Sequence, residues 1–372
     1  TVNPLAAAKR LIIKIGSALL VDEAGTIRRD WLAALAADVA RLRADGRQVL
    51  IVSSGSIAVG RWRLGLTGAR PSLAEKQAAA ATGQIELAHA YQTALAAHNI
   101  TVAQVLLTGE DTEDRRRHLN ARATLDTLLD QGAVPVINEN DTVATAEIRF
   151  GDNDRLAARV AQMISADTLV LLSDIDGLYT ADPRKDPAAQ HIHTVARITK
   201  AIADMAGEPP PGYSSGGMVT KIKAARIAMD AGCRMAIALG KPHGPLGALL
   251  SGAGRATWFE PTRSPLSARK AWIAGTLSLS GTLTIDPGAI TALHAGKSLL
   301  AAGLTAVDGP FHRGDPVLIV GPDGARLGCG LSGYDSAEMA LIVGVRSQDI
   351  AARLGHASRG PVVHRDDLVL DG

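Results

Sequence analysis

Short apolar runs alternate along the first two-thirds of the chain with longer stretches whose apolar positions recur every three or four residues. Six short runs, 11–15, 48–53, 102–107, 133–137, 168–172 and 234–239, predict buried strands. The longer stretches at 30–43, 75–97, 119–130, 154–164 and 218–231 predict helices. Such alternation implies right-handed crossovers and a mainly parallel sheet sandwiched between helices, an α/β fold. Ligand-binding loops are then expected at the carboxyl ends of the strands.

The pattern changes near 261–280, where Pro261-Thr-Arg-Ser-Pro265 ends the alternation and 268–274 bridges to a Gly-rich segment. Beyond it come short strand-like pieces at 282–285, 317–320 and 339–343, separated by turns such as Gly321-Pro-Asp-Gly324. The expected organisation is a catalytic domain over 1–262, a linker over 263–278, and a small β-rich domain with a C-terminal tail over 279–372.

Composition narrows the function classes. The 372 residues are 47% hydrophobic and 20% charged, as in soluble core-forming proteins. Aromatics reach only 3%, which suits strands covered by alanine-rich helices. A formal charge of +2 advertises neither a nucleic-acid nor a membrane surface. The two cysteines, Cys233 and Cys329, are far apart and form no disulfide framework. The opening apolar run is short and broken by Lys14, unlike a signal peptide, and no stretch reaches the ~20 apolar residues of a membrane span. A cytoplasmic protein is expected.

Two familiar phosphate-binding patterns are decoys. Ala295-Gly296-Lys297-Ser298 ends like a P-loop but has Thr291 where the leading glycine belongs. Gly328-Cys-Gly-Leu-Ser-Gly333 fits G-x-G-x-x-G in a tail too short for a dinucleotide-binding repeat, so its glycines are read as turn residues.

Other positions carry more chemistry. Lys14 lies inside an apolar strand and is followed by Gly16 and Ser17. A lysine there is costly unless an anion pairs with it or its head reaches solvent. Ile51-Val-Ser-Ser54-Gly55-Ser56 ends the second strand with small hydroxyls, suited to close ligand approach or to capping the next helix. Asn138-Glu139-Asn140-Asp141 ends another strand, and Gly151-Asp152-Asn153-Asp154 opens a helix. Together they hold more amides and carboxylates than turns require, and could orient an amino acid. Ser173 and Asp174 end a further strand. Ser214-Ser215-Gly216-Gly217-Met218-Val219-Thr220-Lys221 leads into a helix whose N-terminal amides and dipole suit polyphosphate, or is a flexible loop with a serine cap. His191 and His193 lack companion ligands at metal spacing.

In this order the motifs resemble the amino-acid kinase family, and within it the glutamate 5-kinase group, over almost the whole chain. The run Pro135-Val-Ile-Asn-Glu-Asn-Asp-Thr-Val-Ala-Thr-Ala-Glu147, the Gly151–Asp154 motif and Gly177-Leu-Tyr-Thr-Ala-Asp-Pro183 carry the resemblance. The segment from about Leu279 is similar to a PUA domain. The resemblance implies ATP-dependent phosphorylation of the glutamate side-chain carboxylate, opening proline biosynthesis. It implies that Lys14 and Lys221 neutralise the transferring phosphoryl group and that Asp154 holds both lysines. Ser54, Asp141 and Asn153 would bind glutamate. Lys14, Ser173 and Asp174, with Ser215, Gly216, Gly217, Met218, Val219, Thr220 and Lys221, would hold ATP. Mg²⁺ would ride on the ATP phosphates, with no protein side chain assigned to it. The resemblance further implies proline as feedback inhibitor, a homodimer or homotetramer, and handoff of the labile product to glutamyl phosphate reductase. Ser214-Ser215 stands where related sequences often have Gly-Thr; serine keeps the hydroxyl, so only nucleotide affinity should change.

Two rival readings remain at this level. Another kinase on the same fold could act on acetylglutamate, aspartate, carbamate or a nucleoside monophosphate. The PUA-like tail also suggests RNA, but between 279 and 357 five Lys/Arg face seven Asp/Glu, and phosphate-backbone binding needs a basic surface.

Overall fold

The computed structural model describes residues 3–66, 71–144, 153–206, 217–274 and 279–371. The chain divides into two units, Thr1–Pro265 and Leu266–Gly372.

In the first unit all six predicted strands form: β1 (Arg10–Ile15), β2 (Gln48–Ser53), β3 (Val102–Leu107), β4 (Val134–Glu139), β5 (Thr168–Ser173) and, after the short β6 (Thr194–Val195), β7 (Arg234–Leu239). With β8 (Ala256–Phe259) they make a sheet of order β3-β4-β2-β1-β5-β7-β8-β6 among the described residues. Every pairing from β3 to β7 is parallel, and β7 with β8 is antiparallel. From β1 the chain runs to β2 on one side and returns to β5 on the other. The switch point therefore falls at the carboxyl end of β1, where Lys14 sits one residue before the strand's end.

Alternation along the strands builds two cores. Leu11, Ile13 and Ile15 pack with residues of α1 (Arg29–Ala44) and, after α2 (Ser56–Arg63), of α3 (Leu73–Ala96). Ile12 points the other way, with Leu50 and Val52. There it meets α4 (Arg115–Asp130), α5 (Asn153–Met163) and α6 (Met218–Asp230). By the same period of two, Lys14 shares the Ile12 face. Cys233 is buried in this second core, where burial pushes its thiol up, as expected of a packing cysteine.

Helix α3 starts with a capping box in which Ser72 and Glu75 each accept the other's backbone N–H. It crosses α2 almost backbone to backbone. A Cβ on Gly83 would lie 1.9 Å from the Ser56 carbonyl oxygen, and one on Gly60 would lie 1.8 Å from that of Ala79. Gly83→Ala is accordingly expected to destabilise despite gaining about 1 kcal/mol of helix propensity. Overpacking against main chain costs about 1–3 kcal/mol or more, which wins. Urea denaturation checks this; a rise in midpoint would show that the helices can separate freely.

Helix α7 (Pro265–Ala274), which belongs to the second unit from Leu266 onward, forms inside the stretch read as a linker, and its Arg269 bonds Asp367. The strands of this unit are β9 (Gly281–Ile285), β10 (Leu304–Asp308), β11 (Pro316–Val320), β12 (Arg326–Leu331) and β13 (Leu368–Leu370), in sheet order β10-β9-β11-β12-β13. One expectation fails here: 339–343 is not a strand. Met339–Ile342 belongs to α8 (Ser336–Ile342), started by an Asp335–Glu338 capping box. A short apolar run cannot by itself separate strand from helix, and the cap decides. The Gly328–Gly333 pattern is structural, but not as turns: Gly328 and Gly330 lie within β12 and pair in the sheet. A Cβ on Gly328 would lie 2.1 Å from the Val369 carbonyl, so glycine lets β13 pair closely.

Candidate active site

Helix α5 delivers Asp154 in its first turn, fully buried, beneath the carboxyl end of β1. Lys14, only 6% exposed, reaches down from β1 and places Nζ 2.6 Å from Asp154 Oδ1. Lys221, in the first turn of α6 and equally buried, donates to the other carboxylate oxygen, Oδ2, at 3.0 Å. The Thr220 hydroxyl lies 3.2 Å from Oδ2 and 2.7 Å from the Gly217 carbonyl. One carboxylate thus spaces two ammonium groups contributed by different elements.

The electrostatics follow from that geometry. Burial alone would raise the Asp154 carboxyl, but the charges and hydrogen bonds of Lys14 and then Lys221 hold it below the usual carboxylate range. Two cations and one anion leave the cluster with a net single positive charge. It can accept more negative charge than Asp154 supplies.

A second cluster lies beside the ends of β2 and β4. Asn153 directs its amide nitrogen at the Ser53 carbonyl (2.6 Å), Ser54 Oγ (2.9 Å) and Asn138 Oδ1 (2.9 Å). Asn138 in turn donates to Gln84 Oε1 (2.8 Å) and contacts Ser56 Oγ (3.3 Å), while its Oδ1 accepts the Glu139 N–H (2.9 Å). Ser53 Oγ meets the buried Tyr91 hydroxyl at 2.9 Å. Between β2 and α2, Gly55 adopts a left-handed φ of 109°, which glycine takes without strain and which turns the chain into α2. Asp141 is buried in the loop after β4.

On the β5 side, Ser173 is buried and donates to its exposed neighbour Asp174 at 3.1 Å. Gly217 is the N-cap of α6, with Met218, Val219, Thr220 and Lys221 forming its first turn, so Lys221 belongs to the end of the helix that carries the amides without intrahelical partners. Ser215 and Gly216, like Gly151 and Asp152, lie outside the described residues.

The structure therefore joins Lys14, Asp154, Lys221 and Thr220 in one group and Ser54 with Asn153 in another. Consecutive residues Asn153 and Asp154 link the two. Sequence reasoning passed over Gln84 and Tyr91. Their signal was present: two hydrogen-bonding groups, seven residues apart, on the buried stripe of an alanine-rich helix. Among the described residues no cluster of three or more His, Cys, Asp or Glu side chains is placed to hold a metal ion. No described helix is long and apolar enough to cross a membrane.

Comparison with known proteins places this geometry in a family. The model of the amino acid kinase family matches residues 9–238, and that of the PUA domain matches residues 281–354. The chain is 61% identical over 371 residues to the glutamate 5-kinase of Paramagnetospirillum magneticum, covering 100% of both. It is 62% identical to that of Rhodospirillum rubrum, covering 97% of this chain and 96% of the relative. Against the glutamate 5-kinase of Gluconobacter oxydans identity is 59%, with 99% and 97% covered. With a family match that takes in Lys14, Asp154 and Lys221 and relatives alike from end to end, the chain belongs to the amino acid kinase family and carries a PUA domain behind its kinase unit.

Proposed function

We propose that the chain transfers the γ-phosphoryl group of ATP to the side-chain carboxylate of L-glutamate, giving ADP and L-glutamyl 5-phosphate, the first step of proline biosynthesis. The observation that carries the chemistry is the bridging of Lys14 and Lys221 by a single buried aspartate. Full-length relatives named glutamate 5-kinase support the choice of acceptor.

A glutamate carboxylate has an ordinary pKa near about 4.3 and is already a nucleophile at neutral pH, so no general base is needed. One of its oxygens forms a bond to the γ-phosphorus as the bond to the β–γ bridging oxygen breaks, and ADP leaves with that electron pair. The obstacle is repulsion between a carboxylate and a triphosphate. Lys14 and Lys221 offset it, and Asp154 keeps their spacing fixed so that little reorganisation is needed. The α6 amides, with Ser173, Asp174 and the segment from Ser215 to Lys221, hold the nucleotide. Ser54, Asp141 and Asn153 hold glutamate.

The donor set around the lysines is cationic, which fits phosphate oxygens rather than a bare metal. A Mg²⁺ ion would accordingly be carried on the ATP phosphates, where it supplies charge neutralisation. Proline is proposed to inhibit at or near the glutamate subsite, and the protein to act in the cytoplasm as a homodimer or homotetramer that passes its product to a reductase. The kinase domain is taken as 1–262. The domain over 279–372, with more acidic than basic residues, serves assembly or regulation rather than RNA.

Trapping acyl phosphate with hydroxylamine tests the reaction: glutamate- and ATP-dependent hydroxamate is expected, falling when proline is added. Product with acetylglutamate or aspartate instead would move the assignment to another member of the fold. Asp141→Ala is expected to raise the glutamate KM about tenfold or more with a smaller effect on kcat, as loss of a charged hydrogen-bond partner does. An unchanged KM takes Asp141 out of the substrate subsite.

A further inference from the structure

Asn153 has more acceptors around its amide nitrogen than it has protons. Two N–H bonds face the Ser53 carbonyl, Ser54 Oγ and Asn138 Oδ1, all within 2.9 Å. The orientation of this amide is over-determined. A carbonyl accepts only, so the group facing Ser53 O must be NH₂. The Asn138 amide is fixed by the same logic, because its Oδ1 also accepts the Glu139 N–H. Its NH₂ must then face the other way, where Gln84 Oε1 receives it at 2.8 Å. The Ser53 carbonyl sets Asn153 and the Glu139 N–H sets Asn138, Gln84 Oε1 anchors the NH₂ end of Asn138, and Asn153 Oδ1 is left on the side away from these partners.

Both outer supports come from one helix. Gln84 and Tyr91 lie seven residues apart on α3, two turns along one buried face. Gln84 holds Asn138, and Tyr91 meets the Ser53 hydroxyl. Gly83 lets α3 approach close enough for this, since its missing Cβ would occupy the Ser56 carbonyl. Gln84 is 9% exposed and Asn138 3% exposed, so neither bond is readily replaced by water.

We propose that Gln84 is a positioning residue for the amino-acid substrate: through Asn138 it locks Asn153 with Oδ1 outward, as the acceptor for the substrate's ammonium group. This deepens the glutamate-binding reading of Asn153 and rests on it. An acceptor oxygen there selects an α-amino acid over a dicarboxylate that lacks the ammonium.

The test is steady-state kinetics with wild type, Gln84→Met, Gln84→Glu and Asn153→Ala, using glutamate as substrate and glutarate as competitor. Gln84→Met removes the acceptor at similar volume and is expected to raise the glutamate KM about tenfold, the effect of one buried donor left unpaired. The ATP KM, the kcat and the glutarate inhibition constant should stay near wild type. Gln84→Glu keeps an oxygen facing Asn138 and should recover most of the lost affinity. A glutamate KM unchanged by Gln84→Met while Asn153→Ala raises it overturns the relay and leaves the substrate reading standing. No effect of Asn153→Ala removes the substrate reading and the relay with it. Parallel losses for glutamate, glutarate and thermal stability would reduce Gln84 to a packing residue. If Gln84→Met does not fold, a tenfold loss of glutamate affinity in a folded Gln84→Glu protein equally overturns the proposal.

Discussion

Asp154→Ala should cripple the enzyme and loosen its fold at once. We expect kcat to fall at least about 10²-fold, because both ammonium groups lose the anchor that sets their spacing. Stability at pH 7 should drop by about 3–5 kcal/mol, the usual result of removing one partner from a buried ion pair. Each orphaned lysine has a ceiling, since it can shed its proton: from an ordinary pKa of about 10.4 to pH 7 that costs about 4.6 kcal/mol apiece. The sign of the pH dependence is fixed by the depressed Asp154 carboxyl. Its stabilisation is fully present above the unfolded carboxylate value of about 3.9 and disappears only as pH falls through the lower folded value. At neutral pH the wild type therefore has all of it to lose. Urea denaturation at pH 7 measures the loss, and a midpoint within experimental error of wild type would contradict the buried triad.

Lys14→Ala and Lys221→Ala should separate the two effects. Each is expected to lower kcat by about 10²-fold, the typical cost of removing one preorganised charge stabiliser. Neither should unfold the protein, because Asp154 keeps one ammonium partner and the repulsion between the lysines is relieved. Losses in kcat without comparable losses in urea midpoint would mark the lysines as catalytic rather than architectural. Near-normal turnover in either variant would exclude that residue from the transition state.

Much of this was legible in the chain itself. The six parallel strands could be read because each is short, apolar and bounded by polar residues, as buried parallel strands are. Lys14 could be singled out because an ammonium group inside an apolar strand needs an explanation. The partner that explains it was less visible. Asp154 comes from a helix that begins 139 residues later, and only the crossover topology sets it beneath β1. The amide network was harder still, since Gln84, Asn138 and Asn153 lie on three elements and no local pattern joins them. The misread helix at Ser336–Ile342 shows the complementary failure. There Asp335 and Glu338 mark a helix start, while the apolar run after them, taken by itself, fits either element.

The crossing of α2 and α3 at Gly60 and Gly83 sets limits on how this protein can be re-engineered. A library aimed at new acceptor acids would naturally randomise the helices behind the Ser54–Asn153 cluster, yet these two positions offer almost no viable alternatives. Diversity is better placed in the polar loops after β2 and β4, with the two glycines held constant as the fixed pivot against which new specificities are selected.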